Sequence, residues 1–222
     1  ELTNVEVDLY YNVYGDRNVL TRHCVIKNLG NQKINITKAM SCSLDLRDNK
    51  FNFLELKGSH CEERHIEVTP LRHGISKIES RRCSSSHMLN PFMALCRKDA
   101  TEDFGEVYGF NLVYSGNYEG TIEVDQRNTT RIQMGISSFD FSWPLYSNDT
   151  FATPEVVMVY SNTGLNGMSL QYHSLYNDCL LKKHYHHPIV VNNWEATYFD
   201  FNEEKLEKLI SSAKGLGIEM FV

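Results

Sequence analysis

The sequence predicts a mainly β protein: a large antiparallel β-sandwich, then a connecting helix, then a βαβ unit. Three observations carry this. Short runs rich in aromatic and β-branched residues, parted by Gly, Asn and Asp, fill residues 3 to about 161. Apolar residues then recur at three- and four-residue steps from 165 to 183. Last, the apolar runs 189–194 and 218–222 bracket a second helical pattern.

"VEVDLYYNVYG" (5–15) and "VLTRHCVIKNLG" (19–30) flank a turn at Gly15-Asp16. "INITKAMSCSLDL" (34–46) leads through Asp48-Asn49 to "FNFLEL" (51–56). Further strands are expected at 64–71, 74–82, 92–98, 106–116, 120–126, 130–136 and 155–161. Many short strands at this spacing imply a sandwich rather than an α/β sheet. Trp143, before Pro144, is expected to anchor packing between the sheets. Asp45, Asp125 and Asp140 lie among turn-formers, where loop hydrogen bonding is their ordinary work.

The helix over 165–183 places Leu165, Met168, Tyr172, Leu175, Tyr176 and Cys179 on one face. "HYHHP" (184–188) is a polar joint whose proline favours an extended exit. "IVVNNW" (189–194) reads as a parallel strand covered on both faces. Asn202 can cap the following helix, with Glu203 and Glu204 at its positive end. Leu206, Leu209, Ile210 and Ala213 form its apolar stripe, and Gly215 or Gly217 stops it. "IEMFV" (218–222) is the second strand. One helix and two parallel strands cannot bury their apolar faces alone. The chain is therefore expected to be a piece of a longer protein, cut inside an α/β barrel or doubly wound sheet. Its opening, "ELTNVEVDLYY", has no initiator Met and no signal peptide, and already alternates like a strand.

Composition removes some function classes. Of the 222 residues 41% are hydrophobic, enough for a core, and the formal net charge is −6, which argues against nucleic acid as partner. No run approaches the roughly 18 apolar residues of a membrane span. The six cysteines contain no pair two residues apart, so zinc-ribbon and thioredoxin-like readings have no basis. Free thiols in a reducing compartment are expected. Three Asn-X-Thr triplets (at Asn35, Asn128 and Asn148) matter only in a secretory setting.

Five stretches together carry a resemblance. They are "GISKIESRRCSSSHMLNPFMAL" (74–95), "TEDFGEVYGFNLVYSGNYEGTIEVDQ" (101–126), "FDFSWPL" (139–145), "TPEVVMVYSNTGLNGMS" (153–169) and "NNWEATYFDFNEEKL" (192–206). The chain resembles the microbial α-galactosidases of glycoside hydrolase family 36 over nearly its whole length. The resemblance implies an N-terminal β-supersandwich at 1–163, a connecting helix and linker at 164–188, and the start of a (β/α)8 barrel at 189–222. It implies a retaining enzyme with two catalytic aspartates, both on later barrel strands, and an Asp-Asp pair gripping galactose just after Val222. No acidic residue here matches either motif, so the chain alone is expected to be inactive. The resemblance further implies galactosides of the melibiose and raffinose type as substrates, no cofactor, a homo-oligomer (a tetramer in the family) and a cytoplasmic location.

Within the chain, Trp194 is the foremost site residue. At a barrel strand's C-terminal end its indole offers a flat wall for the C–H face of a sugar, against the plainer role of plugging the rim. Asn193 can bond substrate or brace a loop, and Tyr198 can line the rim or pack. Glu195 is read as an orienting residue rather than a catalytic acid. "HYHH" (184–187), with His173, invites a metal reading, but a solvated linker explains it as well and no metal is assigned. The polar stretch 79–92, with Arg81, Arg82, His87 and Asn90, is read first as an interface or domain-packing loop, then as a sugar contact. The rival functions are a carbohydrate-binding sandwich, marked by a row of surface aromatics, and a purely assembling domain.

Overall fold

The structure, a computed structural model, describes residues 4–181 and 186–222. It forms two compact units, Glu1–Leu175 and Tyr176–Val222. In the first unit the chain runs through β1 (Val5–Tyr14), β2 (Val19–Asn28), β3 (Ile34–Ile36), β4 (Met40–Leu46), β5 (Phe51–Ser59), β6 (Glu62–Pro70) and β7 (Gly74–Glu79). It continues through β8 (Leu89–Arg97), β9 (Val107–Leu112), β10 (Tyr118–Val124), β11 (Thr130–Ile136), β12 (Trp143–Leu145), β13 (Thr150–Ala152) and β14 (Val156–Ser161). One sheet has the order β1-β2-β14-β9-β8-β5-β6, with β13 also on β2, and a second has the order β4-β11-β10-β7. The pairs within both sheets are antiparallel.

The alternation of each strand builds the core. Phe51 and Phe53, Met93 and Leu95, and Phe110 and Leu112 point from the larger sheet onto Tyr118, Ile122, Ile132 and Met134 of the smaller one. These are sandwich faces, as the sequence predicts. The run 34–46 is not one strand, however. It divides into β3, which pairs with β12, and β4, an edge of the smaller sheet. Trp143 sits in that β3–β12 ribbon, 48% exposed, with its ring 5.4 Å from Phe151. It is a marginal packing residue, because a three-residue ribbon leaves one side of the indole uncovered. β12 and β13 escape sequence reading because three residues are too few to show alternation.

A helix, α1 (Gly164–Leu175), follows β14 and buries Met168, Tyr172 and Leu175. The N–H groups at its start, on Gly164, Leu165 and Asn166, donate to the carbonyls of Gly105, Thr101 and Glu102. Gly164 has φ +74, and a Cβ there would lie 2.4 Å from the Glu102 carbonyl, so only glycine fits this helix start. The predicted stripe runs too long. Regular α-helix ends at Leu175, a π-turn spans Tyr176–Leu180, and Cys179 is exposed. The end of that predicted helix, Lys182-Lys183, lies outside the described residues.

In the second unit β15 (Val190–Val191) is followed by the short helix α2 (Trp194–Thr197), then α3 (Glu203–Ala213), then β16 (Met220–Phe221). β15 and β16 pair in parallel, Val190 with Met220 and Val191 with Phe221. The strand is shorter than the apolar run 189–194 suggests. Asn192 Oδ1 accepts the Trp194 N–H at 2.6 Å and turns the chain into α2. Trp194 therefore opens a helical turn beyond the strand rather than ending the strand. Asn202 caps α3 by accepting the Lys205 N–H at 3.0 Å. The expected stripe of α3 is half covered at best: Leu206, Leu209 and Ala213 are partly exposed and Ile210 is 48% exposed. None of the described residues of this unit is buried.

Candidate functional site

The candidate site is the connection between β15 and α3. Asn193 N–H donates to the Val222 carbonyl at 3.1 Å, which ties the connection to the end of β16. The Asn193 amide donates to Thr197 Oγ1 at 2.9 Å, and that hydroxyl returns to the Asn193 carbonyl at 3.1 Å. Of its two readings, Asn193 thus visibly performs the bracing one, across the single turn of α2. Trp194 is 44% exposed beside the strand end.

Two rings stand against that indole. Tyr198 meets it at 5.5 Å and 73°, and Phe199 at 4.9 Å and 88°. Both are edge-to-face contacts, the geometry the aromatic quadrupole favours. Tyr198 also donates from its hydroxyl to Glu195 Oε2 at 3.2 Å. The expected site residues Asn193, Trp194, Glu195 and Tyr198 are thus brought into one cluster. Phe199, 86% exposed, was missed. The available signal was "YFDF", three aromatics in four positions inside an otherwise polar stretch, with neither helical nor strand period.

Glu219 closes the other end of β15. It accepts the Ile189 N–H at 2.8 Å and His186 Nε2 at 2.8 Å. The backbone N–H first, then the imidazole, holds its carboxyl below the ordinary range. His186 thus has Glu219 as its partner. His184 and Tyr185 of the "HYHH" tract lie outside the described residues. Among the described residues no group of three or more His, Cys, Asp or Glu converges as a metal site. No helix among them is long and apolar enough to cross a membrane.

The remaining candidates lie in the first unit. The stretch 79–92 is tied to its own sandwich. Arg81 pairs with Glu79 at 2.9 Å and lies 4.1 Å over Phe139, the Cys83 N–H donates to Asn117 Oδ1 at 2.6 Å, and the Asn90 carbonyl accepts from Tyr118 at 2.7 Å. Asp125 makes the expected turn, accepting from the N–H groups of Arg127 and Thr129 at 2.8 Å. Asp140 sits in a turn at φ 58. Asp45 is not a turn residue. It stands opposite Arg131 in the β4–β11 ladder and takes both of its hydrogen bonds at 2.8 Å, which hold its carboxyl low. A hollow of about 450 Å³ opens on the inner face of the larger sheet, lined among others by Tyr11, Arg22, Tyr108, Phe110 and Tyr160. Tyr10 and Tyr11, neighbours in β1, face opposite ways, whereas Tyr160 and Tyr108 stand opposite each other on β14 and β9 with ring centroids 5.3 Å apart, and Phe51 follows at 5.9 Å from Tyr108.

Known proteins match along the whole chain. A family model described as glycosyl hydrolase family 36 N-terminal domain covers residues 1–146, and one described as melibiase covers 150–222. Alpha-galactosidase 1 of Pediococcus pentosaceus is 47% identical over all of this chain and alpha-galactosidase AgaA of Geobacillus stearothermophilus 49%. The chain spans 31% of the length of each. The crystal structure of AgaA superposes with a TM-score of 0.94, covering 98% of this chain and 31% of that one. Variants of AgaA have been solved in complex with raffinose and with stachyose. By the family model over its first 146 residues, the chain belongs to glycoside hydrolase family 36.

Proposed function

We propose that residues 1–222 are part of a retaining α-galactosidase that releases terminal α-linked galactose from oligosaccharides of the melibiose and raffinose type. The carrying observation is 49% identity with AgaA over the whole chain. On this reading the first unit is sandwich scaffold and the β15–α3 connection is one wall of the galactose pocket. Trp194 is the stacking surface, Asn193 the brace of its turn, and Glu195 with Tyr198 its neighbours at the rim. The reacting carboxylates lie outside these residues, so the chain by itself is inactive. A homo-oligomer in the cytoplasm, with no cofactor, completes the reading; sedimentation of the full-length enzyme tests its assembly.

The decisive experiment incubates the full-length enzyme containing this sequence with melibiose and follows the anomers by proton NMR. First-formed α-galactose is expected, because retention follows from two carboxyl groups about 5 Å apart across the bond. First-formed β-galactose, or no galactose at all, overturns the reading. The binding-module alternative has one specific observation behind it, the aromatic hollow beside Arg22. Titration of residues 1–222 with melibiose separates the two: binding that survives Trp194→Ala places the sugar in that hollow.

A further inference from the structure

We propose that Tyr198 is a positioning residue: it fixes the plane of the Trp194 indole, and through that plane the fit of the terminal galactose. The inference rests on the function proposed above. Tyr198 has φ 48 and ψ −121, a conformation that a residue with a Cβ rarely adopts. Burial does not force it there, because the side chain is 55% exposed. Glycine would enter this backbone without steric cost. What the tyrosine adds is contact. Its ring packs edge-to-face on the indole at 5.5 Å, while the backbone N–H bond to the Trp194 carbonyl at 2.7 Å is one that glycine would keep.

The left-handed step has a second effect. It reverses the chain so that Phe199, the very next residue, also reaches the indole, at 4.9 Å. Consecutive side chains of an extended strand point to opposite sides and could not both touch one ring. α2 is a single turn of four residues, too short to hold its shape by helix formation alone. The indole is therefore held by Tyr198 and Phe199 rather than by the helix that carries it. A sugar stacks only on a ring presented in the right plane. A half-exposed tryptophan without these props must be ordered at the moment of binding, which weakens affinity without touching the chemical step.

The test uses the full-length enzyme on melibiose. Tyr198→Phe keeps the ring and should leave KM within about twofold. Tyr198→Ala should raise KM roughly three- to tenfold with kcat nearly unchanged. Tyr198→Gly, free of backbone strain, should fold and show the same rise, which covers the case in which the alanine variant does not. In a Trp194→Ala background the loss of Tyr198 should have no further effect on KM. An unchanged KM in the glycine variant, or an equal rise with and without Trp194, overturns the proposal. Absence of galactoside turnover by the unmutated enzyme is a different failure: it removes the proposed function, and this inference with it.

Discussion

Val190 and Met220 stand side by side in a parallel pair, with α3 spanning the chain between them. Parallel neighbours cannot be joined by a tight turn; they need a crossover of about a dozen residues or more, which here carries α3. The same pairing delivers the β15–α3 connection to the strand's C-terminal end, where Trp194 stands. The candidate site thus follows from the register of two very short strands.

Glu219→Gln tests that register. The carboxylate accepts from the Ile189 N–H and from His186 Nε2, and a neutral amide accepts both more weakly. Hydrogen exchange should report an Ile189 amide several-fold less protected, with amides of the β10–β11 ladder unaffected. The pH dependence has a definite sign. Glu219 is held below its ordinary range, so its contribution is present above the unfolded value, about 4.3, and is lost as pH falls through the folded value. Protection of Ile189 should therefore converge between wild type and variant in acid, once intrinsic exchange is corrected.

Gly109→Ala tests how α1 seats on the sandwich. A Cβ on Gly109 would lie 2.7 Å from Met168 Sδ and 2.9 Å from the Tyr172 ring. Tyr172 cannot simply swing away, because its hydroxyl donates to the Val157 carbonyl at 3.1 Å and its ring meets Phe92 at 5.7 Å. Overpacking of this kind costs about 1–3 kcal/mol. Urea unfolding should show a lower midpoint at unchanged slope, and adding Met168→Ala should recover only part of it.

How much of this was legible in the sequence depends on what enforces each element. The long strands were legible because a sandwich face demands alternation: Phe51 with Phe53 and Phe110 with Leu112 repeat it in the text. The α3 cap at Asn202 was legible because a cap is a local hydrogen bond. The break between β3 and β4 was not, because only the partners of Ile36 and Met40, distant in sequence, assign them to different sheets. In the site, Trp194 was visible as an aromatic after an apolar run. Phe199 was not, because its place against the indole depends on the left-handed backbone at Tyr198, and tyrosine does not advertise that conformation.

Arg97→Met tests the ion cluster at the end of β8. Arg97 binds Asp48 at 2.7 Å and Glu106 at 2.6 Å, and its guanidinium lies 4.0 Å over Phe51. The Arg97 hydrogen bond is the main reason the Asp48 carboxyl is held low. At Glu106 burial pushes the carboxyl up, but the bonds from Arg97 and Tyr108 outweigh it and the net direction is down. Removing the guanidinium should cost about 2 kcal/mol at neutral pH. Both carboxyls are depressed, so their contribution is present above their unfolded values, about 3.9 and 4.3, and is lost as pH falls through the folded ones. The gap between wild type and variant in urea midpoints should be full at pH 7 and shrink below about pH 4.

Trp194→Ala and Trp194→Phe together test whether the indole is a sugar wall or only a rim filler. If it stacks on galactose in both the ground state and the transition state, its loss is a loss of uniform binding. In the full-length enzyme, alanine should then raise KM for melibiose about tenfold, equivalent to about 1.4 kcal/mol, with kcat changed far less. Phenylalanine, flat but smaller, should fall between. Asn193→Ala should act in the same direction but more weakly, since its amide reaches the pocket only through the brace to Thr197. A rim filler behaves otherwise. Its loss would lower the melting temperature and scale kcat with the amount of folded enzyme, leaving KM where it was. Measuring KM and thermal midpoint on the same preparations decides between them, and an unchanged KM in Trp194→Ala would remove this tryptophan from the pocket.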